Sequence, residues 1–197
     1  MRKLRMFALV ASLSAAACSG RADIYWTAHA FPASFFMNLE NQYLESSGEG
    51  RIRENASTLT FYPNLGTGVG IELGSLILDL SAGAGILADS MFVTGTVFGD
   101  AALRWQVARA ATLGPHLGII RALDPEWRGN LEVDVSPATG LIAGLQLTMG
   151  DKVSYLLSVD FVGMSFDVES GSSFYTLNAD SLDMRWIGFQ FGLRGQF

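Results

Sequence analysis

The feature that most narrows what this chain can become is a two-residue alternation that returns along its length. It is sharpest at the end, where Met184 to Phe197 reads Met-Arg-Trp-Ile-Gly-Phe-Gln-Phe-Gly-Leu-Arg-Gly-Gln-Phe. Ile187, Phe189, Phe191, Leu193 and Phe197 form one set, large and apolar. Trp186, Gly188, Gln190, Gly192, Arg194 and Gln196 form the other, mostly small or polar. Successive side chains of a strand point to opposite faces, so this is a strand whose two faces meet very different surroundings.

The same pattern recurs upstream. Leu65 to Leu73 alternates with Gly66 to Gly74, and after a tight Gly74-Ser75 turn Leu76 to Leu87 continues it. Met91 to Val107 sets Val93, Val97, Leu103 and Trp105 against Thr94, Thr96, Asp100 and Arg104. Thr112 to Arg121, Ala138 to Met149 and Val153 to Val168 follow, the last with a parity that blurs near Gly163, at a bulge or at the upper edge of a membrane band. Ser34 to Glu45 is a weaker first strand, which makes eight. Connections after the first, fifth and seventh are long and polar, and those after the second, fourth and sixth are tight. The third, Ala88 to Ser90, is short for its place.

Two faces of this kind can be a soluble barrel or sandwich, or a membrane barrel. In a soluble fold the wet parity would be dominated by glycine, which costs backbone entropy and packs nothing. In a membrane barrel the large residues face lipid and the small and polar ones fill a narrow tube. Composition agrees with the second reading: 49 % hydrophobic, 22 glycines and only 16 % charged, against about a quarter charged in soluble domains. No apolar run reaches the ~20 residues of a membrane helix. A net charge of −6 without a basic patch excludes nucleic acid as a partner.

An aromatic strand ending on Phe197 resembles the closing strand of small eight-stranded bacterial outer-membrane barrels of the OmpA/OmpX type. The resemblance covers Ser34 to Phe197 and is architectural. It implies a closed antiparallel up-and-down transmembrane barrel, integral to the outer membrane, with lipid and lipopolysaccharide around it. It also implies that Phe189, Phe191, Leu193 and Phe197 form the signal read by the barrel-insertion machinery. Residues 1–22 read as an export signal, with Arg2, Lys3 and Arg5 before the apolar Met6 to Leu13. Cleavage is expected after Ala17 or Ala22; Ala15-Ala16-Ala17-Cys18 resembles a lipobox, so Cys18 is a candidate for lipidation. Residues 23–33 read as a periplasmic lead-in or as the beginning of the first strand, and 34–197 as the barrel.

On the inward parity sit Glu72, Asp79, Asp100, Arg104, His116, Asp160 and Arg194. Unpaired charges inside would be costly, so carboxylate–arginine networks are expected there. A polar path or ligand site is the sharper alternative, because the inward glycines leave space. Catalysis has little support. The only histidines are His29 and His116, neither has a serine two residues away, and Asp89-Ser90 resembles the Asp-Ser pair of outer-membrane palmitoyl-transfer enzymes without a histidine on another outer loop. Asp124, Glu126, Glu132 and Asp134 lack metal-ligand spacing. Trp127, in the same loop, is an outer contact residue or an anchor of its turn. The expected protein has no catalytic, cofactor or metal residues. It acts as a scaffold, surface-contact protein or accessory subunit of an envelope assembly beside another envelope protein. Alternatives are a barrel that binds or passes a small or lipidic ligand, and a lipid-modifying enzyme.

Overall fold

The alternation is realised as a cylinder. The computed structural model describes residues 23–40, 42–47 and 51–197, so the export segment and Cys18 lie outside the described residues. Eight long strands build it: β1 (Asp23–Asn38), β2 (Asn64–Leu73), β3 (Leu76–Ala88), β4 (Phe92–Ala108), β5 (Ala111–Ala122), β6 (Thr139–Gly150), β7 (Val153–Ser170) and β8 (Ser181–Gln196). Each pairs antiparallel with the next. β8 returns to β1 along a seam from Thr27–Gln196 to Asn38–Trp186, which leaves no open edge. Closure pairs the backbone of every strand from within, the condition for crossing lipid.

Asp23 and Phe197 lie at the end with the tight turns, where Trp26 and Phe197 exchange backbone hydrogen bonds of 3.2 and 3.0 Å. Glycine supplies the positive φ that two of these turns need, Gly74 at 68° and Gly150 at 127°. At the other end the long connections carry short strands of their own. Tyr43–Glu45 pairs with Arg53–Asn55, Leu59–Phe61 with β1, Glu126–Trp127 with β4, and Val133–Val135 with β7.

The first strand differs from the sequence expectation. It begins at Asp23, so residues 23–33 are wall rather than lead-in, and it ends at Asn38, with Tyr43–Glu45 belonging to a separate hairpin. The reason is a bulge. Ala30 pairs with Leu193 and Ala33 with Phe191, so three steps on β1 match two on β8. Pro32, which has no N–H to give the ladder, sits there. Thr27 and Phe31 are buried before the bulge, Ser34 and Phe36 after it. The inward parity changes from odd to even, which breaks the alternation a linear reading depends on.

Near Gly163 no bulge occurs; β7 runs in unbroken register against β8 from Val153 to Asp167. What changes is the surroundings. Val153, Tyr155, Val159 and Phe161 point outward and are exposed, and above them Gly163, Ser165, Asp167 and Glu169 point outward instead. The apolar outward stretch Val153 to Phe161 has about the length of a tilted membrane crossing, ~9–11 residues. On β8 the change falls at the same level, because Phe161 pairs with Ile187 and Gly163 with Arg185. Above that line the faces invert: Val162, Met164, Phe166 and Val168 turn inward and are buried, with Leu182, Met184 and Trp186 of β8.

The interior therefore has two storeys. The outer one is an apolar core of Phe36, Tyr62, Leu87, Phe92, Ile120, Phe166 and Trp186 together with loop residues Leu44 and Leu131. The membrane-level one is polar.

Candidate functional site

The polar storey is held by two clusters. The inner cluster centres on Asp79 of β3, whose two carboxylate oxygens accept from Arg104 of β4 and Arg194 of β8; Arg104 also donates to Thr148 of β6. The carboxylate required by Arg194 is thus three strands away around the barrel. The middle cluster centres on His116 of β5. Its Nδ1 lies 2.8 Å from Asp100 of β4 and its Nε2 2.6 Å from Asp160 of β7. Asp160, fully buried, also accepts from Ser158 at 2.6 Å and from Gln190 of β8. Gln190 in turn accepts from Asn64 of β2 at 2.9 Å and Ser34 of β1 at 3.3 Å. The two clusters together reach all eight strands.

The charges close. With both ring nitrogens facing carboxylates, His116 satisfies each only by donating twice. Asp79, Asp100 and Asp160 then meet two guanidiniums and one imidazolium, so the enclosed charges cancel. Of the inward residues singled out in the sequence, Asp79, Arg104 and Arg194 come together, as do Asp100, His116 and Asp160. Glu72 does not join them: it lines the inner mouth and makes no ion pair among the described residues. Ser34, Asn64, Thr148, Ser158 and Gln190 were not legible as network members, because a neutral polar residue on the lumen parity carries no partner requirement in the sequence.

Inward glycines do not leave the lumen open. A side chain at Gly70 would collide with Tyr25, one at Gly144 with Asp160 and His116, and one at Gly188 with Phe36. They are the recesses into which large neighbours fit. Between the clusters the space left is a cavity of about 60 Å³, lined by His29, Asn64, Ser81, Asp100, Gln146 and Arg194 among others. At roughly 10–15 Å³ per enclosed water, that is room for a few waters.

The outer end is capped by interlocked loops. Glu54, buried in the first connection, accepts from Trp127 Nε1 at 3.2 Å and from the backbone N–H groups of Asn130 and Leu131 in the fifth. Trp127 is therefore an anchor within the cap. Ser47 and Thr176 join the first connection to the seventh at 2.6 Å, and the Tyr175 hydroxyl bonds the Glu132 backbone. Asp89 accepts from the Met91 and Phe92 N–H groups at 2.7 and 3.0 Å and from Thr60 at 3.0 Å, which makes it the cap of its turn. Burial raises its carboxyl above the ordinary value, and those N–H donors oppose the rise.

No protein-family profile and no curated protein matches the sequence. Solved structures do match in shape. The outer membrane protein OprG from Pseudomonas aeruginosa superposes with a TM-score of 0.51 at 9 % identity, over 90 % of this chain and 97 % of that one. The fold is that of a small outer-membrane β-barrel. Neisserial surface protein A (TM-score 0.42, 15 % identity, 90 % and 100 % covered) and AlkL (0.44, 15 %, 91 % and 92 %) have more distant shapes.

One arrangement inside this outer-membrane barrel has the residue types of a hydrolase. Ser158 Oγ lies 3.1 Å from His116 Nε2, with Asp100 on Nδ1. A general base needs a free lone pair toward the hydroxyl. Here Nε2 points at Asp160, which is closer, and Ser158 itself donates to Asp160. The serine is also buried at 4 % exposure, away from either opening. Among the described residues, no group of three or more His, Cys, Asp or Glu side chains is placed to hold a metal ion.

Proposed function

We propose that this protein is a closed, non-catalytic barrel of the outer membrane whose work is done at its outer end, as a surface-contact or scaffold protein or an accessory subunit of an envelope assembly. The observation that carries this reading is the filled lumen: an apolar core above, a locked ion cluster below, and only about 60 Å³ between them. A solute cannot cross such a column without unpacking it, whereas the cap presents ordered loops outward. The reading includes export through residues 1–22, with mass spectrometry of the mature N-terminus distinguishing lipidated Cys18 from an unmodified start. It also assigns the insertion signal to Phe189, Phe191, Leu193 and Phe197.

Conductance across a planar lipid bilayer tests it. The native protein is expected to give no discrete current steps. Steady stepwise current through the native protein would refute the closed-barrel reading.

A further inference from the structure

The inner end of the lumen opens into a vestibule of about 480 Å³, and Arg194 lines both this vestibule and the cavity above it. Arg194 is the charged residue of the inner cluster that reaches the vestibule floor, and the cluster behind it is unusual in its charge. Two guanidiniums, Arg104 and Arg194, share the single carboxylate of Asp79, so one positive charge there is uncompensated locally. Its compensation, the excess carboxylate beside His116, lies in the other cluster, on the far side of the cavity. The rim is balanced, with Arg109 and Lys152 against Glu72 and Asp151.

Polar atoms at the same level are also short of partners. Arg104 is 1 % exposed, yet its Nε donates to nothing, and the buried Thr112 hydroxyl on the vestibule wall has no partner. Tyr25 lies over the same place, its ring centroid 5.7 Å from Arg194 Cζ. A partly buried cation flanked by free donors is an environment in which an acceptor with several oxygens is favoured, because guanidinium forks match planar or tetrahedral oxyanions. Low local dielectric strengthens that preference at the floor relative to the solvated rim.

We propose that the vestibule floor is a binding site for a small oxyanion, a phosphate or a carboxylate, which enters from the inner end and is held by Arg194, Thr112 and Tyr25. Asp79 is its internal competitor, since it occupies the guanidinium faces the ligand would use. This site is independent of the outer-end function: a lumen closed above can still bind from below.

The test is calorimetric titration of the refolded full barrel in detergent micelles at constant ionic strength. Inorganic phosphate and acetate are the two probes and chloride is the reference. Saturable binding of phosphate or acetate but not chloride is expected, and the tighter of the two names the ligand class. Asp79→Asn removes the competitor and should tighten binding at least fivefold. Arg194→Gln should weaken it at least tenfold, and Thr112→Val, which leaves the ion cluster intact, about threefold by loss of one hydrogen bond. A merely structural role for the cluster would not move the Asp79 and Arg194 variants in opposite directions. Native protein that binds neither oxyanion better than chloride overturns the proposal, as do Asp79→Asn and Thr112→Val variants with the native constant.

Discussion

The membrane-level half of this barrel and its outer half are built from the same strands and the same ladder, yet they are inside-out relative to each other. On β7, Val159 and Phe161 face outward at the level where Ser158 and Asp160 face inward; a few residues later Ser165 and Asp167 face outward while Phe166 and Val168 face inward. The backbone does nothing at the crossing, since no register shift separates the two. Only the medium outside the wall changes, from lipid to water, and the apolar set moves to whichever side is away from water. The outer half is stabilised as soluble barrels are, by a packed apolar core. The inner half has no such core, and its interior is fixed by charge pairs and hydrogen bonds.

The sharpest way to break this comparison is to remove a charge from the inner half. Asp160→Ala leaves His116 and Gln190 without their shared acceptor and should cost about 3–5 kcal/mol, the usual penalty for an orphaned buried charge. Heat-modifiable gel mobility would show it as a lower conversion temperature. Trp186→Ala acts on the other half. It should cost about 3–5 kcal/mol through a cavity in the apolar core, but dry packing lost there should leave hydrogen exchange of the β5 and β6 amides near His116 unchanged. Protection lost equally in both halves would show that they are one cooperative unit.

The inversion line itself can be placed by a pair of substitutions on one face of β7. Val159→Arg should destabilise by about 2–4 kcal/mol, as charge on a lipid face does near the bilayer midplane. Ser165→Arg, six residues on and on the same side, should stay within about 0.5 kcal/mol because it faces water. Equal costs would remove the boundary. The smallest effect is expected in the cap. Glu54→Gln weakens the acceptor for Trp127, Asn130 and Leu131 by about 1–2 kcal/mol. Faster amide exchange of Asn130 and Leu131, with unchanged melting of the barrel, is the outcome that fits.

Much of the cylinder is legible in the sequence, and the exceptions have causes. From Leu65 to Phe161 the membrane-level part of each strand keeps one medium outside and one inside, so parity tells the faces apart there; Leu87, Phe92 and Ile120, at the outer strand ends, already belong to the apolar core. The first strand does not keep parity, because the extra residue at Phe31–Pro32 reverses it, and a reader of alternation sees two weak fragments instead of β1. Trp186 falls on the parity of Gly188 and Gln190 and reads as an oddity in a polar set; it is the first residue of the inverted zone. The inward carboxylates and arginines are recognisable as a group, but not their pairing: Asp79 and Arg194 are 115 residues apart, and the distance is bridged only when the ring closes. The Glu54 anchor carries no sequence signal, since its acceptor role depends on two loops meeting above the barrel.

The arrangement of the two polar clusters has a mechanical consequence. A thin-walled tube resists stretching far better than flattening, and a hydrogen-bonded sheet rolled into a cylinder shares that weakness. Asp79 ties β3 to β8 at one height, and His116 with Asp160 and Gln190 ties β4 through β8 to β1 and β2 at another. They act as cross-braces inside the hoop. With both in place, lateral pressure from the bilayer is taken up as compression along short polar struts rather than as ovalisation of the wall, and the cross-section stays round where the lipid pushes hardest.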